Sequence, residues 1–211
     1  MVKPASRSPR TAPDALAAVR PVTVGREIPD AELVERARGG NRWAEEMLYR
    51  RYASLLLGVC TRLLRQTSDA EDVVQDAFVD ALDQLDALRE PSLFRRWITG
   101  IAVHRVHRRL RRRKLLRALG LWTDAPDRTL ETCLAPGASQ ETHAELVCLD
   151  QVLQHLPDAQ RIAWQLRFIE GYRLEEVAEL CDCSLATVKR RLQSADTLVR
   201  KRIELEEATH G

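Results

Sequence analysis

Glycine and proline are scarce in this chain, nine of each among 211 residues, so few stretches carry the breakers that interrupt a helix. Cysteine is sparse too. The five thiols, Cys60, Cys133, Cys148, Cys181 and Cys183, are odd in number and irregular in spacing. That argues against a disulfide framework and for a reducing cytoplasm. No run approaches the roughly 20 apolar residues that a membrane helix needs, so membrane insertion is not expected. The nearest early apolar stretch, Ala15 to Val19, is too short for a signal peptide. Also missing are a glycine-rich phosphate loop, a Gly-x-Ser-x-Gly elbow and any internal repeat. With no catalytic constellation in view, neither an enzyme nor a cofactor is expected.

What is present is segregated charge. The net value is only +2. Yet Asp69, Glu71, Asp72, Asp76, Asp80, Asp83, Asp86 and Glu90 form an acidic block, and Arg105, Arg108, Arg109, Arg111, Arg112, Arg113, Lys114 and Arg117 a basic one. Such asymmetry says more about partners than the net value does. A helix end needs one or two cations to suit its dipole. This many repel one another, and a polyanion would relieve that. Nucleic acid contact is therefore expected at the basic block. For the acidic block, composition alone favours a solvated face.

Along the chain, residues 1–27 hold four prolines among scattered basic residues and read as a disordered arm. Asp30 suits the cap of a short helix that Gly39-Gly40 ends. A longer helix is expected from about Asn41 to Arg65, with Leu48, Tyr52, Leu55, Val59 and Leu63 as its apolar stripe. Ser68 and Glu71 stand three apart, as a capping box requires. They open a helix to Leu88 whose inward face is Ala70, Val73, Val74, Ala77, Phe78, Ala81, Leu82 and Leu85. Pro91 marks a loop over 88–92. The next helix runs from about Leu93 to Lys114, with Phe94, Trp97, Ile98, Ile101, Ala102, Val106 and Leu110 inward. Residues 117–140, with Pro126, Pro136 and Gly137, read as a flexible linker. Helices resume over 140–155, with Leu146, Leu149, Val152 and Leu153 inward. Another follows from Pro157, which suits a first helical turn, through Ala159, Ile162, Ala163 and Leu166 to Gly171. The expected fold is all-α: two small helical domains, 28–116 and 141–205, joined by the linker. Trp43, Trp97 and Trp164 are expected in the core; Trp122 falls in the linker.

The stretch from Leu174 to Ala195 carries the most information. Leu174, Val177, Ala178 and Cys181 recur with the spacing of one helical face. The pattern breaks at Asp182-Cys183-Ser184, where Ser184 is a good N-cap. Leu185, Val188, Leu192 and Ala195 then face inward, leaving Ala186, Thr187, Lys189, Arg190 and Gln193 outside. This is the helix-turn-helix plan, in which the second helix enters the DNA major groove. Small or polar residues near its start reach base edges, and cations beside them hold phosphates. The same pattern also fits an ordinary helical hairpin with a solvated basic face. Cys181-x-Cys183 invites a metal or redox reading, but cysteine packs as a small hydrophobe, and both positions fall where the motif wants apolar contact. His104 and His107 lack further ligands and sit among arginines that would repel a cation, so no metal site is expected.

Taken in order, these motifs resemble a known family. Asp69-Ala-Glu-Asp-Val-Val-Gln-Asp-Ala-Phe78, then Phe94-Arg-Arg-Trp-Ile-Thr-Gly-Ile-Ala102 and the arginine block, resemble the second conserved region of sigma factors. Leu156-Pro157, Arg161, Glu170-Gly171, Glu176-Val-Ala178 and Ser184 to Leu192 resemble their fourth region. With a short linker and no third region, the spacing is similar to that of the extracytoplasmic-function (ECF) group of the sigma-70 family. The resemblance implies binding to core RNA polymerase, at its clamp and flap, and recognition of the −10 and −35 promoter elements with melting of the DNA. It implies that Asp72, Gln75, Asp76 and Phe78 belong to the polymerase-binding helix. Arg89 and Ser92 would lie in the segment that captures an unstacked base, an event costing a few kcal/mol that a shaped pocket must offset. His104, Arg105, Arg108, Arg109 and Arg112 would contact the −10 region, and Ser184, Ala186, Thr187, Lys189, Arg190 and Arg191 the −35 element. An anti-sigma factor is a further partner the resemblance allows.

The sequence departs from that pattern in places. His104 stands where asparagine is usual, Glu45 where phenylalanine is, and Asp182 where glycine is; aspartate tolerates the left-handed conformation better than most residues. Ser194 and Asp196 replace arginines, so DNA contact is expected to end near Arg191 or Gln193. A free-standing helix-turn-helix regulator, binding operator DNA as a dimer, is the competing reading. An adaptor that keeps polymerase contacts and loses DNA contacts is a third, against which the intact basic blocks speak.

Overall fold

The computed structural model describes residues 28–121, 152–153 and 155–210, with side chains through Lys201. The expected N-terminal arm, most of the expected linker, most of the helix expected over 140–155, Trp122, Cys133 and Cys148 lie outside the described residues. Among the described residues seven α-helices with assigned bounds follow one another: α1 (Asp30–Arg38), α2 (Arg42–Leu64), α3 (Thr67–Asp83), α4 (Phe94–Ala118), α5 (Asp158–Phe168), α6 (Leu174–Leu180) and α7 (Leu185–His210). Two short 3₁₀ turns, Leu85–Ala87 and Pro91–Leu93, occupy much of the stretch between α3 and α4. Helix α4 continues past Lys114 to Ala118, so Arg117 and Ala118, expected at the start of the linker, are helical.

The helix starts show where local rules held and where they were overridden. Asn41 caps α2 as its side chain suits, its Oδ1 accepting from the backbone N–H groups of Trp43 (3.1 Å) and Ala44 (3.2 Å). Asp30 does not cap α1. It is the first helical residue after Pro29, and its carboxylate instead takes hydrogen bonds from Arg51 and Tyr52 of α2. The capping box expected at Ser68 and Glu71 is also absent: α3 begins at Thr67 after Gln66, with no side-chain cap. In both cases the first turn is closed by backbone bonds alone, to the Pro29 carbonyl in α1 and the Gln66 carbonyl in α3. Trp43 is 45% exposed rather than in the core. It sits on the first turn of α2 with the Arg36 guanidinium over its ring at 6.0 Å, while Trp97 and Trp164 pack partly buried against the core.

Helix α2 is the spine of the N-terminal unit, packing against α1, α3 and α4. Its expected stripe is buried at Leu48, Tyr52, Val59 and Leu63, and Leu56, Cys60 and Leu64 are buried as well, because it is covered on several sides. Burial raises the Cys60 thiol to about 12. The inward face of α3 is as its spacing predicts, with Ala70, Val73, Val74, Ala77, Phe78 and Ala81 all buried. The C-terminal unit places α5, α6 and α7 around Ile162, Leu166, Val177 and Val188, and a smaller cluster joins Val152, Leu153 and Leu156 to Ala195 and Val199. The two units are not merely tethered. One apolar core runs from Phe94, Ile98 and Val103 of α4 into Leu166, Tyr172, Val177 and Leu180.

A buried ion cluster fixes the corner between α2, α3 and α4. Asp69, with a side chain only 10% exposed, accepts from both Arg109 and Arg113. Arg113 also donates to the Leu64 carbonyl at the end of α2 (2.9 Å) and to Gln66 Oε1 (2.5 Å). One guanidinium thereby ties off the last turn of α2 and the cap of α3. Burial opposes ionisation of Asp69, but the hydrogen bonds and charges of Arg109 and Arg113 outweigh it and hold the carboxyl below its ordinary range. Removing one member of such a cluster strands buried charge, at a cost of about 3–5 kcal/mol. Asp69→Asn is expected to lower the urea unfolding free energy by that order. Because the folded carboxyl titrates below its unfolded value, the stabilisation is present above the ordinary carboxylate range and is lost as pH falls through the folded value. The gap between wild type and variant should therefore close in acid, as followed by urea melts at descending pH.

Candidate nucleic-acid interface

Helices α3 and α4 lie side by side, and the acidic and basic blocks meet across them. Arg105 spans to Asp76 (2.5 Å) and Asp80 (2.5 Å). One turn on, Arg109 reaches Asp72 (3.1 Å) as well as Asp69. The two segregated charge blocks thus satisfy each other in part. Arg105 and Arg109 can meet phosphate only by sharing or exchanging these carboxylates. His104, Arg108, Arg111 and Arg112 stay exposed. With Asp76, Arg105 and Arg109 the exposed arginines line an open groove of about 460 Å³, a concave surface of one dominant sign.

The other residues expected in this half are distributed as follows. Asp72 and Asp76 are 64% and 59% exposed along α3, and Gln75 is exposed between them. Phe78 turns inward, its ring 4.7 Å from that of Tyr49, so it can support the helix but offers no surface to a partner. Arg89, between the two 3₁₀ turns, and Ser92, within the second, are exposed, and Ser92 donates to Glu90 at 3.0 Å. Leu88 behind them is buried, and its carbonyl accepts from Arg38 of α1. That bond pins the loop while leaving its outer edge free.

In the C-terminal unit the helix-turn-helix forms as its spacing predicts. Helix α6 ends in a Schellman arrangement: the Asp182 N–H donates to the Glu179 carbonyl (3.1 Å) and the Cys183 N–H to the Ala178 carbonyl (3.0 Å). Asp182 occupies the left-handed position at φ 46°, where glycine is the usual residue. Ser184 caps α7, its Oγ accepting from the Thr187 N–H at 3.2 Å. Val188 and Ala195 are fully buried and Leu192 nearly so. Ala186, Lys189 and Arg190 are exposed on the opposite side. Thr187 is partly engaged with Ser184 (2.9 Å between hydroxyls), and Arg191 donates to Cys183 Sγ at 3.4 Å. Cys181 is buried, and its thiol is raised to about 12 by burial and by the neighbouring Cys183. Among the described residues no three His, Cys, Asp or Glu side chains are placed to hold a metal ion, and no helix is long and apolar enough to cross a membrane.

One surface went unread in the sequence. Phe168, Ile169 and Leu198 are exposed by 52%, 43% and 45%. Phe168 joins Leu174, Leu192 and polar residues of α7 around a groove of about 440 Å³. The available signal was that Phe168 and Ile169 fall off the inward face of α5. An exposed apolar ring beside a groove is a candidate contact surface.

Comparisons with known proteins agree with this geometry. Residues 48–115 match the model of sigma-70 region 2, and residues 146–195 that of sigma-70 region 4. The chain is 29% identical over 191 residues to the ECF RNA polymerase sigma-E factor of Haemophilus influenzae, covering 84% of this chain and 97% of the relative. It is also 29% identical over 181 residues to the RNA polymerase sigma-H factor of Pseudomonas aeruginosa, covering 83% and 94%. Among solved structures, CnrH in complex with the cytosolic domain of CnrY superposes with a TM-score of 0.60 at 24% identity, over 83% of this chain and 97% of that one. The sigma factor RpoE of Bartonella quintana, in complex with the anti-sigma factor NepR, gives 0.59 at 21% identity, over 75% and 96%. These two share the fold. The two matched regions, in order and together spanning most of the helical elements, place the chain in the sigma-70 family, as an RNA polymerase sigma factor of the ECF group.

Proposed function

We propose that the N-terminal unit grips core RNA polymerase through the exposed carboxylate face of α3 and opens promoter DNA with α4 and the loop before it, while α7 reads the −35 element. The observation that supports this reading is an exposed carboxylate edge on α3 beside an arginine-lined groove on α4, joined by the Asp76–Arg105 and Asp72–Arg109 pairs, in one chain with a capped helix-turn-helix. Asp72, Gln75 and Asp76 offer a basic partner an open surface; Phe78 backs them from inside. Arg108 and Arg112 meet phosphates directly, and His104 faces the same side. Arg105 and Arg109 position α4 and exchange carboxylate for phosphate as DNA arrives. Arg89 and Ser92 border the place where a base unstacks during melting. In the C-terminal unit Ser184, Ala186 and Thr187 approach base edges and Lys189, Arg190 and Arg191 the backbone. The groove beside Phe168, of mixed apolar and polar lining, receives the polymerase flap.

On this reading the protein performs no catalytic step and works in the cytoplasm, where polymerase and DNA are. A protein antagonist of the kind present in the Bartonella quintana complex is a further partner. Run-off transcription with purified core polymerase over a promoter library tests the role as a whole: initiation at a new promoter set supports it, and no dependence on the added chain refutes it. Operator binding as a dimer without polymerase would favour a free-standing regulator instead.

Two substitutions separate the surfaces. Asp76→Arg is expected to weaken capture by core polymerase at least tenfold while leaving the helical circular dichroism intact, because the exposed Asp76–Arg105 pair contributes at most about 1 kcal/mol to folding. Undiminished capture in a pull-down would remove Asp76 from the interface. Lys189→Ala is expected to weaken promoter binding and reduce the slope of log K against log salt by about one unit; an unaltered slope in a salt titration would exclude a phosphate contact there.

A further inference from the structure

The segment between α3 and α4 has little local structure to fix it. It runs from the 3₁₀ turn at Leu85–Ala87, through Leu88, Arg89 and Glu90, to the turn at Pro91–Leu93. Single backbone bonds close the turns: the Ala87 N–H donates to Gln84 (2.9 Å), that of Leu88 to Leu85 (3.2 Å) and that of Leu93 to Glu90 (2.9 Å). Among the described residues, the N–H groups of Arg89 and Glu90 have no backbone partner. Isolated 3₁₀ turns have poor hydrogen-bond geometry and hold weakly.

The hold comes from outside, from the last residue of α1. Arg38 Nε and Nη2 both donate to the Leu85 carbonyl, at 3.3 and 3.2 Å. Nη2 also donates to the Leu88 carbonyl. Nη1 donates to Glu35 Oε1 at 2.6 Å, which orients the guanidinium from behind. Asp86 adds a carboxylate 3.9 Å from Nε. One planar fork thereby grips both ends of the run from Leu85 to Leu88. The leucine side chains point into the core, and Asp86, Ala87 and Arg89 stay exposed.

The arm that carries the fork is itself fixed at both ends. At the start of α1, Asp30 is bonded to Arg51 and Tyr52 of α2. At its end, the Gly40 N–H donates to the Ala37 carbonyl (2.9 Å) and that of Asn41 to Arg36 (3.1 Å). This is a Schellman stop, with Gly40 in the left-handed conformation at φ 79°. Leu33, Val34 and Ala37 bury the face between.

We infer that Arg38 is a positioning residue for base capture: it holds the segment carrying Arg89 and Ser92 in its receiving shape before DNA arrives. This role rests on the proposed promoter reading, in which that segment borders the unstacked base. Unstacking already costs free energy that the pocket must offset, and a segment ordered only on binding would add its own ordering cost. Arg38 acts through the Leu85 and Leu88 carbonyls and touches no base. Lysine is a poor substitute, because its ammonium is a point donor without the planar fork.

The test uses the full chain with core polymerase, on a promoter with 2-aminopurine in the non-template strand to report opening. The forms are wild type, Arg38→Ala, Arg38→Lys and Arg36→Ala. Arg36 is the control: it lies on the same helix but pairs with Glu32 and covers Trp43 instead. Both Arg38 variants are expected to slow opening by about tenfold, a share of the unstacking cost, with polymerase capture unchanged. Arg36→Ala should open at the wild-type rate. A template with a pre-opened bubble should remove most of the deficit. Deleting single bases along the non-template −10 strand should slow wild type sharply at one position, and Arg38→Ala little there.

Hydrogen exchange on the free chain reads the grip without polymerase or DNA. Arg38→Ala should speed exchange at the Ala87 and Leu88 amides and leave those of α2 unchanged. If Arg38→Ala loses helicity by circular dichroism, Arg38→Lys, which keeps stem and charge, carries the same measurements. Wild-type opening in both Arg38 variants overturns the inference. So does an equal deficit on duplex and pre-opened template, which would mean that Arg38 acts through the fold or through polymerase binding. Undiminished sensitivity of Arg38→Ala to the missing base overturns it as well, and unaltered exchange at Ala87 and Leu88 overturns the grip itself. A wild type that captures polymerase but opens no promoter would instead refute the promoter reading, with the grip still decided by exchange.

Discussion

A single carboxylate held between two guanidiniums sets the angle on which the N-terminal unit depends. Asp69 draws Arg109 and Arg113 of α4 onto the start of α3, and Arg113 reaches past it to the last carbonyls of α2. Three helices therefore share one electrostatic joint, at the edge of a core made by Leu63, Leu64, Ala70, Val73 and Leu110. Apolar packing is non-directional and tolerates sliding. Charged hydrogen bonds are directional and do not. The joint supplies the register that Val73 and Val106 alone would not impose, and the exposed groove of arginines is a consequence of it.

The charge blocks show how composition can be right in sum and incomplete in detail. Read as separate blocks, the acids suggest a basic partner and the arginines a polyanion. In the folded chain part of each block neutralises the other, which leaves a narrower set of residues for outside partners. Gln75 and the outer sides of the paired Asp72 and Asp76 remain exposed on one edge, and His104, Arg108, Arg111 and Arg112 on the other. Periodicity along one helix cannot disclose such pairing, because the partners lie 25 to 44 positions apart in the chain.

Much of the fold was legible because helix spacing is a local property. The inward faces of α3, α5 and α7, the start of α2 near Asn41, the cap at Ser184 and a left-handed Asp182 were all readable from neighbours within one or two turns. What was not legible was long-range. Asp30 looked like a cap and became a tertiary ligand of Arg51 and Tyr52. Ser68 and Glu71 matched a capping pattern, but α3 begins at Thr67, so Ser68 falls inside the helix and not at its cap. Thr99, Val103 and Leu180 were left out of the inward sets because a helix covered on two sides has no single face, and nothing nearby announces the second cover. Gly100, in mid-helix where glycine is unfavourable, was the one local sign of a close approach.

The last helix extends well past the residues that would face DNA. At 26 residues and 1.5 Å per residue it is a rod of about 39 Å, and only its first turns carry Ala186, Lys189 and Arg190. Its middle is anchored by Ala195 and Val199 against Val152, Leu153 and Leu156, close to where the chain returns from the stretch between the units. The start of α7 is therefore held at a fixed lever arm from that anchor, the ten residue steps from Leu185 to Ala195 making about 15 Å at 1.5 Å per residue.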